Sequence, residues 1–82
     1  MKLLRVKPGY GDVVLAEGDV TVPAQHAELL NTFRRELDAG MWAAVPTSTG
    51  TGRREAEHVR SFEEIPTGAE RVIFFPRAAG GR

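Results

Sequence analysis

The chain ends Arg77-Ala78-Ala79-Gly80-Gly81-Arg82, directly after the apolar stretch Val72-Ile73-Phe74-Phe75-Pro76. A carboxylate carried on two glycines can be activated and passed to a thiol, an amine or a sulfur donor. Glycine has no Cβ, so such a tail is thin enough to enter another enzyme's cleft. At ordinary glycine usage, two adjacent glycines in the last three residues arise by chance in about 1% of chains. Chain ends also tolerate glycine without function, so the pair alone leaves both an activatable end and a loose terminus open. Other chemistry-bearing residues give weaker signals. Gly50-Thr51-Gly52-Arg53-Arg54 lacks the Gly-Lys-Ser/Thr ending of a phosphate loop and opens no helix, which favours a hairpin turn. His26 and His58 stand without a cysteine or a His-x-x-x-His spacing and read as surface or edge histidines. Ser48 and Ser61 lie in no nucleophile-elbow context.

Eighty-two residues make one domain near the lower size limit for a single unaided core. Without cysteine there is no disulfide framework, no Cys-based zinc site and no thiol nucleophile, so any thioester uses a partner's cysteine. Eleven basic and eleven acidic residues give no bulk field for nucleic acid or an anionic membrane. The apolar runs are too short to span a bilayer, and residues 1–5 lack a secretory apolar region. The expected setting is cytoplasmic, with neither nucleic acid nor membrane as partner. Nine of the eleven basic residues are arginine, leaving Lys2 and Lys7. Few lysines limit self-linkage of a modifier, but an arginine-, alanine- and glycine-rich chain from a GC-rich genome has the same composition.

The elements that must position the tail follow from periodicity. Residues 2–7 alternate, with Leu4 and Val6 on one face and Leu3, Arg5 and Lys7 on the other. Pro8 to Asp12 is dense in turn residues and Asp12 to Glu17 is a second apolar run, so the two strands read as a hairpin. Gly18-Asp19 breaks or bulges that strand. Pro23 suits a first helical turn, where its missing N–H costs nothing. From Pro23 to Ala39 the period is helical, with Ala27, Leu30, Phe33 and Leu37 expected on the buried stripe and Gly40 as a left-handed cap. Met41–Thr47 and Arg53–Arg60 read as strands, the latter a charged edge. Ser61–Glu70 reads as a loop with apolar anchors. Arg71–Pro76 is apolar enough for a central strand buried on both faces. The order β-β-α-β-β-β predicts an α+β domain over residues 1–76, with one helix (about 23–39) across a mixed sheet and the last strand parallel to the first. That arrangement is the β-grasp, and 77–82 reads as a flexible tail.

At this point the chain resembles the ubiquitin-like proteins. Arg71-Val72-Ile73-Phe74-Phe75-Pro76-Arg77-Ala78-Ala79-Gly80-Gly81 looks like the closing stretch of bacterial ubiquitin-like modifiers, and is similar to that of the sulfur-carrier subunit of molybdopterin synthase. The resemblance implies a non-enzymatic substrate whose Gly81 carboxylate, on Gly80, is adenylated by an activating enzyme that uses ATP and Mg. No cofactor or metal is expected on the chain itself. The adenylate then yields either a thioester leading to isopeptides on target proteins, with a conjugating enzyme as a further partner, or a thiocarboxylate that delivers sulfur for cofactor biosynthesis. Arg82 departs from the sulfur-carrier pattern, which ends on the second glycine. The modifier reading therefore expects a peptidase, of the zinc JAB type that accompanies such systems, to cut between Gly81 and Arg82. A third alternative is a non-covalent β-grasp interaction module with an inert tail.

The arginines at 34, 35, 53, 54, 60, 71 and 77 offer a docking face, those on the fourth and fifth strands leading toward the tail. Interleaved Glu55, Glu57 and Glu70 also allow an ordinary solvated surface. Arg71, Arg77, Ala78, Ala79 and Phe75 are the candidate docking residues. Trp42, Phe74 and Phe75 are expected in or partly in the core. Because Phe74 and Phe75 point to opposite faces, whichever lies away from the helix becomes a candidate recognition patch if it is exposed.

Overall fold

The computed structural model describes residues 1–7, 9–48 and 54–76. The elements are β1 (Lys2–Lys7), β2 (Gly11–Glu17), α1 (Pro23–Asp38), β3 (Met41–Ser48), β4 (Arg54–Val59), a 3-10 turn at Phe62–Glu64 and β5 (Arg71–Pro76). The domain is α+β, with one helix packed on a mixed five-stranded sheet ordered β2-β1-β5-β3-β4. β1 is antiparallel to β2 and parallel to β5, while β3 is antiparallel to both β5 and β4. β5 is thus the central strand, and the chain leaves it at Pro76, opposite Met41. The tail residues 77–82 and the turn at 49–53 lie outside the described residues.

A short network fixes the entry to α1. The Asp19 carboxylate accepts hydrogen bonds from the Thr21 amide (2.8 Å) and hydroxyl (2.6 Å), and the Asp19 amide donates to Gln25 Oε1 at 2.6 Å. Those two Thr21 bonds, the hydroxyl's first, hold the Asp19 carboxyl below its ordinary range. Pro23 opens the helix and no side chain caps it. At the other end Gly40 has φ 92°, a left-handed backbone that L side chains rarely adopt, and its N–H donates to the Leu37 carbonyl.

Alternation along each strand separates two faces. The helix covers the face bearing Leu3, Val72, Phe74, Ala43, Val45 and Val59, which form the core with Leu29 and Phe33. Phe33 is its centre, meeting Phe74 and Phe62 edge to face at 5.5 and 5.6 Å. Between Leu3 and Leu4 the register with β2 shifts at Leu15, an irregularity that turns both Leu15 and Ala16 toward the core.

The buried stripe of the helix differs from the one read in the sequence. Phe33 is buried as expected, but Ala27 is exposed and Leu30 and Leu37 are half-buried, whereas Leu29 and Glu36 are buried. The helix is rotated so that position 36, a carboxylate, faces the sheet. Glu36 is accommodated because Arg5, on the helix side of β1, donates from Nε and Nη2 to its two oxygens at 2.8 and 2.7 Å. Two further expectations change. Trp42 lies outside the core, 40% exposed on the face away from the helix. β5 is fully buried on the helix side only, since Ile73 and Phe75 are half-buried.

Candidate functional site

The sheet face away from the helix carries an apolar band built by strand register. Residues directly opposite one another share a face, so Val14, Leu4, Ile73, Ala44 and His58 form one row across all five strands. Phe75 and Trp42 form the start of the next. Val14 is 51% exposed, and Val6, one pleat along β1 on the same face, is also exposed. Aromatic rings gather toward the β4 side. His58 meets Trp42 at 4.7 Å and Phe75 at 5.6 Å, both edge to face, and Trp42 lies 6.2 Å from Phe75. Such geometry places the polar edge of one ring on the π-face of the next, which fixes their orientation without burying them.

This cluster stands at the root of the tail. Trp42 pairs with Phe75, and Met41 with Pro76, the last described residue. Beside it a cleft of about 410 Å3 is lined by Leu37, Met41, Trp42, His58 and Arg60. Charge borders the band at the opposite end. Glu17, Lys2 and Arg71 make up one row there, on the same face as Leu4 and Ile73.

The residues singled out in the sequence are therefore distributed unevenly. Phe75 joins the aromatic cluster and Arg71 shares its face, but the two occupy opposite ends of β5, about 13 Å apart at the rise of a strand. Arg71 is accordingly remote from the tail root, where Arg60 stands instead. Arg77, Ala78, Ala79, Gly80, Gly81 and Arg82 lie outside the described residues. The sequence reading missed Trp42 and His58 as members of one cluster. The signal was present in their parity: both sit at positions opposite a far-face residue of the neighbouring strand, but only register makes that visible.

A second concavity of about 880 Å3 lies at the pole where β1 begins. Its wall is formed by the β2–α1 loop, the start of α1 and the Phe62–Glu70 segment. His26 lines it and packs edge to face on Phe62 at 5.2 Å. The Met1 ammonium, also on its lining, donates to the Gly18 carbonyl at 2.6 Å. Among the described residues, no group of three or more His, Asp or Glu side chains is placed to hold a metal ion.

Nothing in this arrangement of described residues pairs a nucleophile with a base. What it can do chemically is present a flat apolar and aromatic surface, with cations at its margins, to another protein. No protein-family model, no curated protein and no solved structure matches the chain.

Proposed function

We propose that the domain is a β-grasp and that the chain is a ubiquitin-like protein modifier, its Gly81 carboxylate activated after loss of Arg82. The observation that supports this reading is where the chain leaves the fold. The central strand runs parallel to the first and delivers Pro76 to the end of the sheet beside an exposed aromatic cluster, and the sequence from there is Arg-Ala-Ala-Gly-Gly-Arg.

A carboxylate is a poor electrophile, so activation comes first. The Gly81 carboxylate oxygen attacks the α-phosphorus of ATP and displaces pyrophosphate. A cysteine thiolate of the activating enzyme then attacks the acyl-adenylate and expels AMP. Finally a target amine attacks the thioester, the C–S bond breaks, the thiolate leaves and the amine proton passes to a base of the partner. Beyond that carboxylate, the modifier supplies no acid, base or nucleophile to these steps. Its contribution is placement: a docked body holds the tail in the reacting geometry, which converts an encounter into an effectively intramolecular step. The Trp42–His58–Phe75 cluster is the docking surface in this reading, since it is partly apolar and stands beside Pro76, the last described residue before the tail.

Recovery of tagged protein from its own host, followed by a search for branched peptides bearing the Gly81 remnant, tests the proposal. Conjugates on target amines, together with an intact mass lacking Arg82, are the expected result. A C-terminal thiocarboxylate without conjugates reassigns the chain as a sulfur carrier. Partner binding that persists after deletion of residues 80–82, with Arg82 always retained, makes it a non-covalent module.

A further inference from the structure

We infer that the 880 Å3 groove at the β1 pole is a seat for the basic C-terminal segment of a second copy of this chain. Its floor is apolar, with Leu30, Phe62, Ile65 and Ala69 among its lining residues, and suits a segment of small residues. Glu17, Asp19, Glu63 and Glu70 also line it, all four exposed and none in an ion pair with a described residue. Opposing them are Lys2 and the amino terminus, the latter already donating to the Gly18 carbonyl. Carboxylates therefore outnumber cations around an apolar floor, which is the complement of Arg77-Ala78-Ala79-Gly80-Gly81-Arg82, a segment with two guanidiniums and no acidic side chain.

Reach decides whose tail this is. Glu70, on the groove, immediately precedes β5, and the tail begins after Pro76 at the far end of that strand. The five steps from Arg71 to Pro76 span about 17 Å at a strand's rise. Six tail residues reach at most about 20 Å when fully extended. A tail that reversed direction would use nearly all of that length retracing the strand, leaving nothing to enter the groove. The tail of a second copy meets no such limit. The contact joins a tail to a groove, so it closes as a reciprocal exchange between two copies or as a larger ring, or it propagates along a series of copies. It also covers Gly80 and Gly81, which makes self-association a competitor of any enzyme that acts there.

The test needs no activation chemistry, so its outcome is separate from that of the modifier reading. The 15N-labelled full chain is titrated at low salt with a synthetic peptide of residues 76–82. Saturable shifts are expected at the amides of Gly18–Val20 and Phe62–Glu70. The Glu63→Lys, Glu70→Lys double variant should weaken the peptide by about tenfold, as two exposed ion pairs allow. A peptide with Arg77→Ala and Arg82→Ala should lose a similar factor on the unaltered protein, which controls for any effect of the variant on folding. In sedimentation equilibrium the average mass of the full chain should rise with concentration, and that of a chain ending at Pro76 should not. Absence of shifts at millimolar peptide overturns the inference. So do shifts confined to Trp42, His58 and Phe75, or an affinity indifferent to both charge changes.

Discussion

On the helix side of β5 Val72 and Phe74 are completely buried, while one residue further along the strand Ile73 and Phe75 are only half-buried. β3 repeats the contrast, with Ala43 and Val45 in the core and Trp42 40% exposed. Both faces are apolar at their centres, so composition does not distinguish them. The difference is cover: one face has α1 and the Phe62 segment laid across it, and among the described residues no element crosses the other. An apolar surface that folding leaves partly open is available to a partner, so substitutions at the exposed residues of that face and in the core should separate recognition from stability.

The largest expected effect is on the covered face. Phe33→Ala removes the ring that holds Phe62 and Phe74 in place and should cost about 3–5 kcal/mol. That is comparable with the whole stability of many small domains, about 5–15 kcal/mol. Urea unfolding followed by circular dichroism checks it. A loss below about 1 kcal/mol, the level expected of a surface site, would show that the helix does not depend on this contact.

Next comes the Arg5–Glu36 pair, the one ion pair among the described residues. Breaking a buried pair from one side leaves a charge without compensation, at about 3–5 kcal/mol when both ends are buried. The Arg5 side chain is 39% exposed, against 7% for Glu36. Solvent at the arginine end lowers the expectation for Arg5→Met to about 1–3 kcal/mol. Adding Glu36→Leu to Arg5→Met should recover most of the loss, and a double-mutant cycle measures the coupling. Additive losses would mean that the pair contributes packing rather than charge compensation.

On the open face the order reverses. Trp42→Thr forfeits two edge or tilted ring contacts and should cost only about 1 kcal/mol. His58→Thr should cost less still. Both should slow transfer of the Gly81 carboxylate to an activating enzyme by more than their stability loss explains, with the effect in KM rather than kcat. If Trp42→Thr unfolds the domain as Phe33→Ala does, the two faces are equally structural and the contrast fails.

Much of this was legible before any coordinates. The helix from Pro23, its glycine end at Gly40 and the apolar last strand all rest on local chemistry: a missing N–H, a positive φ and a run of Val, Ile and Phe. The rotation of the helix was not legible. A stripe through Ala27, Leu30, Phe33 and Leu37 is at least as apolar as one through Leu29, Phe33 and Glu36, and Phe33 belongs to both. The choice between them is made by Arg5, thirty-one residues away, which lets Glu36 face inward. The open-face cluster escaped for a related reason, since Trp42, His58 and Phe75 come from three strands and only register brings them together. Gly80 and Gly81 carry the functional reading in the sequence, and nothing in the described residues bears on them beyond the position of Pro76.

The smallest effect sharpens the contrast at its margin, where the loop after β2 turns the chain from the sheet into the covering helix. The Asp19 carboxyl is held below its ordinary range by the Thr21 hydroxyl and amide. A group whose folded-state pKa is depressed stabilises the fold above its unfolded value and loses that contribution as pH falls through the folded one. Between the ordinary carboxylate range and the lowered value the charged form and its Thr21 bonds therefore persist, and below it they weaken. Asp19→Asn should abolish that acid-side slope and hold neutral-pH stability near the level the unaltered chain reaches in acid, because a neutral amide oxygen accepts from Thr21 more weakly than a carboxylate. The Thr21 amide shift, followed as pH is lowered, reads the turn directly. A midpoint at or above the ordinary carboxylate value would mean that the Thr21 bonds do not favour the charged form, and that helix entry is set by Pro23 and the Gln25 contact alone.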